Sequence, residues 1–243
     1  PGNYRSSIAV TTGAGAEVIL DGLDDENSMF LFQVGTLSIA AGSSIVLKNG
    51  AKAENVFWAI DTAATLGANA ILEGSIIAGT AITLGADADM HGCMLAGTAI
   101  TFGAGASIDG PLSAEEAAAS LTEAASLEEL SFDSVCDSFI AQAGTVLTFG
   151  AATTIQGGNV AYGTAIAGAS VLDEGAELFS TVDSGVLATK HAAAMAERDG
   201  SEPLGATIGG LTFTPGNYRS ISVVTIAAGT VVTLDAKDTP GAI

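Results

Sequence analysis

Apolar and polar residues alternate along this chain in short runs divided by glycine, and the runs recur. Thr80-Ala81-Ile82-Thr83-Leu84 has a period of two. That period predicts a strand with Ile82 and Leu84 on one face and Ala81 and Thr83 on the other. The stretch Ala-Gly-Thr-Ala-Ile-Thr-Leu-Gly-Ala from Ala78 returns eighteen positions later from Ala96, with Phe102 in place of Leu84. A looser copy begins at Asp61, and related pieces run from Ala143 to Ala151 and from Ala228 to Ala236. Apolar residues also fall at every sixth position: Leu66, Leu72, Ala78, Leu84, Met90, Ala96, Phe102 and Ile108. Three sixes make one coil of a triangular solenoid. Each repeat is too short and too poor in large apolar residues to bury a core alone, so the coils must stack and share one.

Stacking brings residues eighteen apart side by side, roughly 4.8 Å from coil to coil. Thr65, Thr83 and Thr101 then form one outward row. Thr62, Thr80 and Thr98 form a second row at a glycine corner. Threonine is β-branched, so its hydroxyl and methyl occupy few rotamers. The pattern predicts a ladder of threonines on a stiff, level surface.

Further strands are predicted at Val18 to Asp21, Met29 to Gln33, Ser44 to Leu47 and Val56 to Ile60, with Trp58 as core or cap. The acidic Asp24-Asp25-Glu26-Asn27 reads as a solvated turn. Pro111 to Phe132 breaks the pattern. Ser113-Ala114-Glu115-Glu116 is a helix N-cap signature there, and the Ala-rich run after it reads as one or two connecting helices. Strand sequence resumes at Phe139 to Ala141 and Thr145 to Phe149. A second helix opens at Asp183 or Ser184 and ends at Gly200. Its stripe of Val186, Leu187, Ala194 and Met195 suits one solenoid face. His191 within it reads as surface or packing. Pro1-Gly2-Asn3-Tyr4-Arg5-Ser6 matches Pro215-Gly216-Asn217-Tyr218-Arg219-Ser220, so the chain starts and ends within equivalent units.

Composition refines this picture. At 243 residues the chain makes one large β domain or two small ones. Hydrophobic residues reach 48 % but aromatics only 5 %, which suits a thin core of Ala, Val, Ile and Leu. The net charge of −20 argues against nucleic acid and anionic membranes as partners. No run is long enough to span a membrane and no signal peptide is visible, although a chain opening on Pro1 could have lost one. Cys93 and Cys136 are too few for a disulfide framework and read first as two small thiols, with pairing as the lesser reading. Asp87, Asp89 and His91 face outward on a second edge. They read as a solvated face, because calcium would need about six or more oxygens and the other coils lack matching acids. Neither a metal nor a cofactor is expected.

Several segments together resemble a known family, the microbial ice-binding proteins with a β-solenoid and a long flanking helix. They are Leu211-Thr212-Phe213-Thr214-Pro215-Gly216-Asn217-Tyr218, Phe30-Leu31-Phe32-Gln33-Val34-Gly35, Asn55-Val56-Phe57-Trp58 and Gly79-Thr80-Ala81-Ile82-Thr83-Leu84. The resemblance implies a mainly β fold: a β-helix of triangular coils, right-handed, with a long α-helix packed along one face. Residues 1–110 resemble the family's C-terminal half. Residues 132–243, with Gly163-Thr164-Ala165-Ile166 and the helix near His191 to Glu197, resemble its N-terminal half. Residues 111–131 are a helical connector outside the resemblance. The halves run in the reverse of the family's order. Either the domain is circularly permuted or the chain spans a junction of tandem domains; permutation explains the redundant ends and allows one complete core, and is preferred.

The resemblance implies an antifreeze function: a secreted, monomeric protein that adsorbs to ice and inhibits ice growth and recrystallisation. The family's Thr-Ala/Gly-X-Thr motif carries over to Thr80, Ala81 and Thr83, and to Thr98, Ala99 and Thr101. It carries over more loosely to Thr62 and Thr65. Thr145 and Thr148, and Thr230 and Thr233, keep both threonines around Val. The chemistry agrees, since ice offers neither charge nor pocket and a binder needs area, flatness and repeat. Threonine also suits any exposed β surface. Two other functions fit such coils. A left-handed β-helix acyltransferase would use a histidine, but His91 is the only coil histidine and no basic cluster or long loop builds a donor pocket. An adhesion or spacer module of a surface protein would suit tandem domains. No nucleophile–base pair or metal spacing emerges, so no enzyme is expected.

Overall fold

The computed structural model describes residues 1–110, 139–168, 170–172, 177–180, 184–196 and 202–235. The chain winds into a β-solenoid with three walls, in which the strands named below pair in parallel. The first wall stacks Gly216–Ser220, Gly2–Thr12, Phe30–Ile39, Val56–Ile60, Ser75–Ala78, Met94–Ala96, Phe139–Ala143 and Asn159–Tyr162. The second stacks Val224–Ile226, the later parts of Gly2–Thr12 and Phe30–Ile39, then Ala63–Leu66, Ala81–Leu84, Ala99–Phe102, Val146–Thr148 and Ala165–Ala167. The third stacks Thr212–Phe213, Val231–Asp235, Glu17–Asp21, Ser44–Lys48, Ile71–Glu73, Asp89–His91, Ser107–Asp109, Thr153–Gln156 and Ser170–Leu172. Gly2–Thr12 and Phe30–Ile39 are long enough to turn the corner and join the first two walls into one sheet.

The six-residue period follows from this shape, because each wall contributes one inward position per step. Leu66, Leu72, Ala78, Leu84, Met90, Ala96, Phe102 and Ile108 are all buried. The coils differ in girth. Gly35 to Thr62 spans 27 positions, whereas Thr62 to Thr80 and Thr80 to Thr98 each span 18. The wider coils carry longer loops after Asp21 and Lys48, and the acidic turn lies in the first of these. Their larger cross-section is filled by stacked rings, Tyr218 on Tyr4, Tyr4 on Phe32 and Phe32 on Trp58, each from the neighbouring coil.

Helix Ser184–Ala194 lies on the first wall. Leu31, Phe57, Ala59, Ile77 and Leu95 alternate with lumen-facing positions there, yet all are buried. Leu187 and Ala194 of the predicted stripe are buried as well. The buried Gln33 side chain donates from Nε2 to the carbonyls of Ala194 (2.7 Å) and Ala196 (2.8 Å), satisfying acceptors that a helix end leaves open. His191 Nε2 lies 2.8 Å from the Ile60 carbonyl, so this histidine serves packing.

Strands from both ends of the sequence share the column. Met94–Ala96 pairs with Phe139–Ala143, and Gly216–Ser220 pairs with Gly2–Thr12 at equivalent residues, Tyr218 beside Tyr4. The expected connector at 111–131 and the end of the second helix to Gly200 lie outside the described residues. The reading of two free thiols needs correction. Cys93 is fully buried and disulfide-bonded, while Cys136 lies outside the described residues.

Candidate functional site

The second wall gathers the threonines. A strand's outward positions alternate with inward ones, so Ile82 and Leu84 are buried while Thr83 is exposed and Ala81 half-buried. Register then extends each outward position into a row. Thr65 lies beside Thr83, Thr83 beside Thr101, and Thr101 beside Thr148. Ala63, Ala81, Ala99 and Val146 form the parallel row. Thr62, Thr80, Thr98 and Thr145 form the corner row one position earlier. None of these residues is charged.

Glycines make the corner sharp. A Cβ on Gly97 would run into the Gly79 carbonyl, and one on Gly144 into the Gly97 carbonyl. Thr80, Thr98 and Thr145 each follow such a glycine, Thr62 follows Asp61 at the equivalent place, and all four bond to the coil before. The Thr80 N–H and hydroxyl both donate to the Thr62 carbonyl at 2.8 Å. The Thr98 hydroxyl donates to Thr80 O (2.7 Å), Thr145 to Thr98 O (2.7 Å), and Thr62 to Gly35 O (2.8 Å). The strand-row hydroxyls of Thr65, Thr83, Thr101 and Thr148 make no hydrogen bond among the described residues and are left to solvent.

Two expected members do not join them. Thr230 and Thr233 belong to the third wall, where Thr233 sits beside Ile19 and Thr212. Ala-Gly-Thr-Val-Val-Thr-Leu imitates the corner motif, but its glycine, Gly229, is at φ +64 in a turn leading to the third wall. The likeness of the two chain ends held the correct signal. Carried through from Tyr218, it pairs Leu234 with Leu20 and so leaves Thr233 beside Ile19.

Other residues join the threonine rows without the motif. Thr11 pairs with Thr225 and with Ser38, and Ser38 pairs with Thr65, which lengthens the strand row past the wide coils. Thr36 continues the alanine row beside Ala9. Thr164 continues the corner row, its hydroxyl 3.1 Å from Thr145 O. In the wide coils Thr36-Leu37-Ser38-Ile39 shows only period two, and no glycine–threonine corner marks which wall it belongs to.

The third wall has a different character. Its outward positions include Glu17, Asp21, Lys48, Glu73, Asp89, His91 and Asp109. His91 Nδ1 is 2.8 Å from Glu73 Oε1, and the Ser107 hydroxyl donates to Asp89 Oδ1 at 2.6 Å. Asp87 has φ +54 and serves a turn. Among the described residues no group of three or more His, Cys, Asp and Glu side chains is placed to hold a metal ion. Nor is any described helix long and apolar enough to cross a membrane.

Comparison with known proteins bears on the first part of the chain. Residues 1–105 match the sequence model of the family described as Ice-binding-like. An ice-binding protein of Nostoc sp. (strain HG1) is 48 % identical over 80 residues, covering 32 % of this chain and 28 % of that protein. Ice-binding protein K1-A of Typhula ishikariensis is 38 % identical over 81 residues, 33 % of this chain and 32 % of that one. Ice-binding protein 1 of Shewanella frigidimarina is 37 % identical over 79 residues, 32 % of this chain and 9 % of that one. The chain thus spans no more than 32 % of these relatives' own length. No solved structure matches the chain. Residues 1–105, with the ranks of Thr62 and Thr65, Thr80 and Thr83, and Thr98 and Thr101, thus match the ice-binding-like family.

Proposed function

We propose that this protein adsorbs to ice through the threonine wall and so restrains ice growth and recrystallisation. One observation carries the reading: Thr65, Thr83, Thr101 and Thr148 stand in unbroken register on an uncharged wall. Ice is a repeating lattice of neutral water, so a surface binds it by repeating too. Small methyls order the adjacent water, and free hydroxyls bond to it. Long charged side chains would hold the two surfaces apart, and the strands of the threonine wall carry none; Asp61, at the corner before Thr62, stands at its edge.

The contacting set is Thr62, Thr65, Thr80, Ala81, Thr83, Thr98, Ala99, Thr101, Thr145 and Thr148, extended by Thr11, Ser38 and Thr164. Ice is the partner, with no catalysis. The protein works as a monomer outside the cytosol, where the disulfide at Cys93 persists. The shared column supports a single permuted domain rather than a junction of two.

The test is a pair of bulky substitutions, Thr83→Tyr and Thr101→Tyr. Each should abolish thermal hysteresis and ice-crystal shaping while the circular dichroism stays unchanged. Full activity in both would place the contact on another wall.

A further inference from the structure

The two rows of threonines differ in one respect that the motif does not reveal. In the corner row each hydroxyl proton is already engaged: Thr62 donates to Gly35 O, Thr80 to Thr62 O, Thr98 to Thr80 O, Thr145 to Thr98 O and Thr164 to Thr145 O, at 2.7–3.1 Å. Every one of these bonds reaches back to the preceding coil. The O–H therefore points along the column axis, within the plane of the wall, and not out of it. The strand-row hydroxyls of Thr65, Thr83, Thr101 and Thr148 have no such partner. Both rows are solvent-accessible, so burial does not account for the difference.

We infer that the rows divide the work: the corner threonines meet ice as methyl groups locked in one orientation, and the strand-row threonines supply the hydrogen-bond donors. This rests on the ice-binding reading and assigns a role to each row within it. A hydroxyl committed to a carbonyl cannot donate to ice as well. What it does is fix χ1, so the Cγ2 methyl repeats identically from coil to coil. An unpinned threonine would sample other rotamers and lose that regularity on binding. The corner threonines are thus positioning residues through their oxygen and contact residues through their methyl.

The role predicts opposite responses to two small substitutions. Thr80→Ser with Thr98→Ser keeps both internal hydrogen bonds and removes both methyls. Thr80→Val with Thr98→Val keeps methyl surface and removes both hydroxyls. The valine pair should fold, because the carbonyls of Thr62 and Thr80 still accept the backbone N–H groups of Thr80 and Thr98 at 2.8 Å. The expected result is a large loss of thermal hysteresis in the serine pair with the melting temperature unchanged, and little loss in the valine pair. The converse, activity lost with valine and kept with serine, would overturn the division by making the corner hydroxyls ice ligands. Full activity in both pairs would also overturn it. The Thr83→Tyr and Thr101→Tyr variants, measured alongside, separate that failure from failure of the ice-binding wall itself. Circular dichroism and melting temperature on each pair identify any variant lost through unfolding, and Thr145→Ser against Thr145→Val, one coil along, then repeats the comparison.

Discussion

Thr101 lies beside Thr83 in a parallel ladder, and both side chains point away from the lumen that Ile82 and Ile100 fill. A charge placed at either position enters a row whose neighbours carry none. Thr83→Lys should therefore end ice-crystal shaping. Its effect on stability should stay within about 0.5 kcal/mol, as is usual at exposed positions away from packing. Asp109→Lys, equally exposed but on the third wall, should leave shaping intact. Photographs of crystals grown in each variant, with a thermal melt of each, check both statements.

The stacked rings make the wide coils the place where one truncation costs most. Phe32 sits between Tyr4, at 5.2 Å between centroids, and Trp58, at 3.9 Å. Phe32→Ala removes the middle ring and leaves a cavity between coils that cannot close without shifting the ladder. The expected cost is about 3–5 kcal/mol in a urea titration. Trp58 is the only tryptophan, so its fluorescence reports directly on this level of the column. A loss below about 1 kcal/mol would mean the rings are not packed as a stack.

How much of this was legible depended on girth. In the narrow coils one eighteen-residue period fixes both the wall and the neighbour of every residue, so Thr83 and its partners were readable from spacing alone. The wide coils insert loops after Asp21 and Lys48, which break the period. Thr11, Ser38 and Thr225 therefore carried no repeat signal, although they share the row. Thr230 and Thr233 failed for another reason: turns into different walls can share the letters Ala-Gly-Thr and differ only in φ. The hydroxyl bonds of the corner row were invisible too, because they depend on which way χ1 turns.

Backbone conformation supplies a stabilising change. Asn69, Asp87, Gly105 and Ala152 occupy the same turn in successive coils, at φ +56, +54, +71 and +58. Glycine adopts this region freely and Asn or Asp tolerates it through local hydrogen bonding, but alanine has neither advantage. Ala152→Gly should raise stability by about 1 kcal/mol, the usual cost of a left-handed alanine. Gly105→Ala should lower it, since the new Cβ would also meet the Asp87 carboxylate. Chemical denaturation of both variants tests the pair, and a destabilised Ala152→Gly would show that the turn is relaxed as it stands.

The third wall predicts a small pH dependence, with stability greater on the acid side. Burial pushes the His91 pKa down, but the hydrogen bond to Glu73 and the charges of Glu73, Asp89 and Asp109 outweigh it, and the net shift is upward from 6.5. A group whose pKa is higher folded than unfolded binds its proton more tightly in the native state. Its contribution is therefore complete below pH 6.5 and fades as pH rises through the raised value. The His91 side chain is 37 % exposed, so solvent screens the interaction and the contribution is at most about 1 kcal/mol. His91→Gln should accordingly lower the melting temperature on the acid side of this window and converge with the unmodified protein on the alkaline side. Added salt should shrink the difference. Thermal hysteresis should not follow it, because His91 lies on a different wall from the threonines. A melting-temperature difference that stays constant across the window would mean His91 contributes packing and not charge.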